Sequence, residues 1–166
     1  MLTKDVEQIV TPALEGERGL QRVLVAFDGT PGAWAALDQG VAIALRANAK
    51  LTIAGVVGSP PPLACGIGGA LVPPYTPEGL QRELEIEMEQ KLAAARDEIP
   101  ATISLTTVLL HGKATRTLGR FAEEGGYDLV VTGPRRVGRL GRLLHRSVTH
   151  GLLSRGNVAV YAVKPV

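Results

Sequence analysis

Between Asp128 and Val148 the chain reads DLVVTGPRRVGRLGRLLHRSV. A short apolar run, Leu129, Val130 and Val131, breaks at Gly133-Pro134 and enters a loop rich in glycine and arginine. A strand that feeds a glycine loop and then a helix N-terminus is how α/β proteins build anion sites, because backbone N–H groups point outward and the helix dipole favours negative charge. This loop also carries Arg135, Arg136, Arg139, Arg142 and Arg146, and no acid follows Asp128. The chemistry to expect here is the handling of an anion such as a phosphate. A second candidate is Asp28, at the end of the apolar run 22–27. A carboxylate at a strand end can accept hydrogen bonds from a ribose or an adenine, or bond the amides of its own Asp28-Gly29-Thr30 turn.

Other chemistries fit less well. Gly133 to Arg139 has the G-x4-G spacing of a P-loop followed by a base. Arg139 stands at the lysine position, however, and Leu140 at the position of the Mg²⁺-binding hydroxyl, so the working parts are missing. Ser147 lies near His145 and His150 without a nearby carboxylate to orient a base, so it is expected to cap a helix. The two histidines are five residues apart, His111 is distant, and no acids cluster with them, so no metal site is expected. No nucleophile, base and acid assemble into a catalytic set, and the chain reads as a binding module rather than an enzyme.

The elements that must position these residues follow a regular alternation. Arg22 to Phe27 suits a strand buried on both faces. Thr30-Pro31 then supplies an N-cap and a proline at the first helical position. Trp34, Leu37, Val41 and Leu45 continue at helical spacing, which predicts an amphipathic helix over 31–47. Leu51 to Val57 is a second strand. Residues 58–76, with three consecutive prolines and a GIGG piece, are too rich in Pro and Gly for regular structure. They are expected to be the most mobile internal segment, with Cys65 exposed and reactive, and a role as a pocket lid stays open. Thr76-Pro77-Glu78 starts a second helix carrying the stripe Leu80, Leu84, Met88, Leu92 and Ala95.

Ile103 to Leu110 is expected as a third strand. A short helical face (Leu118, Phe121, Ala122) follows and closes at Gly125-Gly126. After the strand at 129–131 comes a fourth helix from Val148, stopped by Gly156-Asn157, and a last strand over 158–163. Strands alternating with helices imply a parallel sheet with helices on both faces, and ligands then bind beyond the carboxyl ends of the strands where strand order reverses. Asp28 and Gly133 both fall at such ends. Residues 1–20 form an N-terminal extension, and residues 21–166 form the domain.

The segments RVLVAFDGTPGAWAALDQGVAIA, DLVVTGPRRVGRLGRLLHRSVTHGLL and NVAVYAVKP resemble the universal stress protein family, in the same order over residues 21–166. The resemblance implies a doubly wound five-stranded parallel sheet of order 3-2-1-4-5, of the adenine nucleotide alpha hydrolase type. Many members bind ATP through Gly-x2-Gly-x9-Gly-Ser/Thr and an Asp after the first strand. By that likeness Asp28 would contact adenosine with Ala26 before it on the strand, and Val56 would line the adenine pocket. Gly133 matches the first glycine and Ser147 the terminal hydroxyl, followed by Val148. Arg136 stands where the second glycine belongs and Arg146 where the third does. Glycine there lets amides reach phosphate without a Cβ in the way. Arginine either fills that space or, with Arg135 beside it, offers its own fork of donors. Family members lacking these glycines often do not bind ATP. The resemblance therefore implies a stress-response module with a degenerate nucleotide pocket, or else an ATP binder with weak hydrolysis whose arginines are phosphate ligands.

Composition sets the outer bounds. The 166 residues suffice for one domain with a real core. The formal net charge is +2, yet residues 129–166 hold seven basic side chains and no acid. That asymmetry suits an anionic small molecule. Nucleic acid is a third reading, but aromatics are 4% of the chain and none falls among the arginines, where a single-strand reader would stack bases. A single cysteine excludes an internal disulfide and a Cys-based zinc site. The N-terminus has acids and no apolar region typical of a secretory signal, and no apolar run approaches a membrane span, so a cytoplasmic location is expected. The last strand, 158–163, has no charge and would be a sheet edge, so pairing with a second copy into a homodimer is expected.

Overall fold

The computed structural model describes residues 19–59, 76–133 and 158–163. In chain order the elements are β1 (Arg22–Ala26), α1 (Pro31–Ala47), β2 (Lys50–Val57), α2 (Pro77–Asp97), β3 (Leu105–His111), α3 (Ala114–Glu124), β4 (Leu129–Thr132) and β5 (Ala159–Ala162). Among the described residues the strands form one sheet of order β3-β2-β1-β4-β5. Every pairing is parallel. The expected topology is the observed one.

The chain fills the sheet outward from β1 to β3, then returns across it to β4. Right-handed crossovers put helices made on the outward leg on one face and those of the return leg on the other. Accordingly α1 and α2 pack on Val23, Val25, Leu51, Ile53 and Val131. On the opposite face α3 packs on Leu24, Ala54, Val130 and Val160. Successive residues of β1 thus serve opposite cores, which is why the strand reads as an unbroken apolar run. The expected fourth helix from Val148 lies outside the described residues.

Helix ends follow the signals in the sequence. Thr30 Oγ1 accepts a hydrogen bond from Ala33 N at 3.3 Å, and Thr76 Oγ1 accepts one from Gly79 N at 3.0 Å. Asn48, at φ 51°, ends α1 by turning its N–H back onto the Ala44 and Leu45 carbonyls. In α2 the expected stripe holds from Leu84 on, with Met88, Leu92 and Ala95 buried and Leu84 packed against their cluster, while Leu80 is half-buried outside it. The third strand starts later than expected. Ile103 N bonds the Pro100 carbonyl in a turn, so Ile103 enters the core from a turn rather than from β3.

At the opposite, amino-terminal edge of the sheet, Asp128 Oδ2 accepts from Gln21 N and Arg22 N, both at 2.8 Å. This ties the start of β1 to the start of β4. The Arg22 guanidinium lies 4.8 Å from the centre of the Tyr127 ring, whose hydroxyl donates to buried Thr52 Oγ1 at 2.9 Å.

Of the expected α1 stripe, Leu37 is buried and Trp34 and Val41 pack against the core, but small residues make up most of the buried face. Its buried residues are Ala33, Ala36, Leu37, Gly40 and Ala44. Leu45, expected in the stripe, is 50% exposed. Trp34 stands edge-on to Phe27 with ring centres 5.1 Å apart. Small side chains let the helix axis approach the strands. A methyl group on Gly40 would collide with Val25 Cγ2. Gly40→Leu should therefore destabilise the fold by about 1–3 kcal/mol through overpacking, whereas Leu45→Ala should stay within about 0.5 kcal/mol. Urea denaturation of both variants checks this, and equal losses would contradict the close seat of α1.

Candidate functional site at the carboxyl edge of the sheet

Strand order reverses between β1 and β4, and in sheets of this kind ligands bind beyond the carboxyl ends of the strands at that point. The β1 side is built by a tight turn. Phe27 N bonds the Ala54 carbonyl, which carries the strand one residue further. Asp28 Oδ1 then accepts from Thr30 N at 3.1 Å and from Thr30 Oγ1 at 2.6 Å. Gly29 between them has φ +79°, a left-handed conformation that side chains disfavour. Asp28 thus fixes the hydroxyl that caps α1, which is the turn-bonding role open to it from the sequence. Its Oδ1 carries that role.

The β4 side meets the same helix end. Thr132 is buried at the end of β4, and Gly133 follows. A Cβ on Gly133 would collide with the carbonyl of Gly32 and lie 2.9 Å from Ala33 N. The backbone of Gly133 therefore rests directly on the first turn of α1. Gly133 is not among the glycines with positive φ, so what its position demands is space. Neither this contact nor Gly32 itself was legible in the sequence, because the two segments are far apart along the chain.

Ala26 and Val56 both pack, half-buried, toward the α3 side beside Leu110 and Ala114. The fold thus gathers Ala26, Asp28, Val56 and Gly133 at the ends of three adjacent strands. Arg135, Arg136, Arg146, Ser147 and Val148 lie outside the described residues, as does Cys65 with most of the segment 58–76.

A further polar cluster stands at the β3 end of the same edge. His111 Nε2 is 2.9 Å from Glu85 Oε1, which also accepts from Gln81 Nε2 at 3.0 Å. The Gln81 bond, then the His111 bond, hold the Glu85 carboxyl below the usual carboxylate range. A lowered carboxyl contributes stability above its unfolded-state value and loses it as pH falls through the lowered one. For an exposed pair the effect is small. Gln81 and Glu85 sit one helical turn apart, but nothing local in the sequence signals their link to His111. Among the described residues no group of three His, Cys, Asp or Glu side chains could hold a metal ion. No described helix is long and apolar enough to cross a membrane.

The sheet order and the helices on its two faces define a doubly wound α/β domain. The universal stress protein family model matches residues 19–164, and the chain belongs to that family. Three solved structures share the fold. A universal stress protein family member from Burkholderia pseudomallei is 24% identical, with 87% of this chain and 96% of that one covered at a TM-score of 0.67. A universal stress protein in complex with cAMP is 26% identical, with 88% and 98% covered at 0.63. Universal stress protein UspA from Lactobacillus plantarum is 22% identical, with 89% and 99% covered at 0.64. No curated protein matches the sequence.

Since Gly133 packs on backbone, Gly133→Ala should lower stability by about 1–3 kcal/mol in ligand-free protein. Calorimetric melting checks this. An unchanged melting temperature would mean that Gly133 does not rest on α1.

Proposed function

We propose that the chain is a stress-response binding or signalling module whose nucleotide pocket is degenerate. The observation that carries this is the contact of Gly133 with Gly32. It accounts for the one retained glycine of the phosphate loop by packing alone, without a phosphate. The other two glycine positions hold Arg136 and Arg146, whose Cβ atoms and side chains hinder amide access. Asp28 supports the same reading, since its Oδ1 is engaged in capping α1. The expected ligand is an anionic small molecule, the domain is residues 21–166 with 1–20 as an extension, and no residue is assigned a catalytic role.

A second reading is favoured by the related structure in complex with cAMP. On this second reading the chain is an adenine-nucleotide binder with weak hydrolysis, Ala26, Asp28 and Val56 would receive the nucleoside, and Arg135, Arg136 and Arg146 would act as phosphate ligands through forks of charged donors. Titration calorimetry with ATP, AMP and cAMP on protein stripped of ligand separates the two. Arg136→Gly with Arg146→Gly should create or strengthen ATP binding if the pocket is degenerate. It should weaken existing binding by tenfold or more, on the order of one charged hydrogen bond, if the arginines are ligands. Absence of ATP binding in both proteins would contradict both readings.

We also propose a homodimer through residues 158–163. Among the described strands β5 is an edge, and an uncharged edge is a template for pairing. Val163 N donates to the Thr132 carbonyl, so strand alternation turns the Ala162 N–H outward. Val160 is buried, and a charge there would test the core instead. Ala162→Pro removes the outward donor alone and should yield monomers by light scattering. A wild type that is already monomeric at micromolar concentration would rule the dimer out.

A further inference from the structure

Among the described residues the sheet has two edges, and β3 is the one opposite β5. Its bonds to β2 fix which of its backbone groups face outward. Leu51 N bonds the Ser104 carbonyl, and Gly112 N bonds the Val57 carbonyl. With Leu51 beside Leu105 and Val57 beside His111, the parallel ladder takes up Ser104, Thr106, Val108 and Leu110. Leu105, Thr107 and Leu109 therefore turn both their N–H and C=O groups away from β2. At His111 the outward carbonyl accepts from Thr117 Oγ1 at 3.4 Å, which closes that end of the row.

Sheet edges are normally blunted by charge, proline, a bulge or shortness. The β3 edge has none of these. Its seven residues, LTTVLLH, stay in register with β2 throughout, with no proline and no charged side chain before His111. The outward row also fits itself. Antiparallel pairing across a two-fold axis through Thr107 sets Thr107 opposite Thr107 and Leu105 opposite Leu109, each pair exchanging two hydrogen bonds. Thr–Thr pairs stabilise neighbouring strands, and Leu105 and Leu109 already pack on the α2 core.

Helix α2 opposes this contact. It packs across β2 and β3, so pairing at β3 brings two copies of it side by side. Glu85 reaches His111 on the β3 flank, exposed Glu89 follows one turn on, and Lys91 leans the other way over Gly29. The whole helix carries six acidic and three basic side chains. Two such helices repel, and the repulsion fades as salt shortens the screening length from about 30 Å at 0.01 M to about 3 Å at 1 M.

We infer that β3 is a self-association surface for a second copy of this chain, antiparallel about Thr107, which the charge of α2 keeps apart at low ionic strength and which salt allows to form. The contact is separate from the pairing at β5, which lies at the other edge. Light scattering on the full chain carrying Ala162→Pro, with β5 blocked, tests it from about 0.01 M to about 1 M salt. The mass should rise from monomer to dimer, with the association constant growing about tenfold. Adding Thr107→Pro removes an outward donor without breaking a bond to β2, and should keep the chain monomeric at every salt. Thr106→Glu, at an exposed position, charges the edge and should do the same with an unchanged melting temperature. Glu89→Gln should move the transition to lower salt. A chain that stays monomeric at high salt overturns the proposal, as does association that Thr107→Pro and Thr106→Glu leave unchanged. Association that salt does not strengthen overturns the part given to α2. Loss of a low-salt dimer on Ala162→Pro reports on β5 alone, so the two edges stand or fall separately.

Discussion

The close seat of α1 on β1 and β4 is the constraint on which the rest of this structure depends. It is made by residues with little or no side chain, Ala33, Ala36, Gly40 and Ala44, facing Val25 and its neighbours. With larger residues there, the helix would stand off the sheet and its first turn would leave the strand ends. As it is, the Gly32 carbonyl meets Gly133 and the Thr30 cap lies beside the Asp28 carboxylate. One packing decision along the helix thus brings the β1 turn and the start of the β4 loop to the same point.

That junction changes how the retained glycine is understood. A glycine in a phosphate loop invites the inference that an amide must approach a ligand. Here the backbone of α1 already occupies the space that a Cβ would need. Asp28 carries a similar double meaning, because capping α1 and receiving a ligand hydroxyl call on the same carboxylate. A fold can keep both features for packing and capping while its ligand preference drifts, which is why membership of the family fixes the architecture and leaves the ligand to the particular side chains.

The contribution of α2 lies in its height. Met88 packs on Gly55 near the carboxyl end of β2, so the turns that precede it flank the strand ends. Those turns present Glu85 to His111, and the next one lays Lys91 on Gly29. The edge of the sheet therefore has charged groups on the α2 side that none of the glycine-loop residues would suggest.

Much of the architecture was legible in the sequence because it rests on local rules. The apolar runs of β1, β2 and β4 are buried on both faces, so they need no alternation to be recognised. Thr30 and Thr76 cap helices through bonds to residues three positions on, and the α2 stripe repeats every turn. Even the positions of Asp28 and Gly133 at strand ends follow from this alternation. On α1, Trp34, Leu37 and Val41 were read correctly, but the exposure of Leu45 and the burial of Gly40 and Ala44 were not, because hydrophobicity ranks Leu45 above them, whereas a helix crossing a sheet at short range selects for small size. The contacts of Gly133 with Gly32, Lys91 with Gly29 and Glu85 with His111 join segments that only the sheet brings together. Local sequence determines which elements form and where they end; which side chains meet at the carboxyl edge is decided by the tertiary structure, since that depends on how closely each helix can approach the strands.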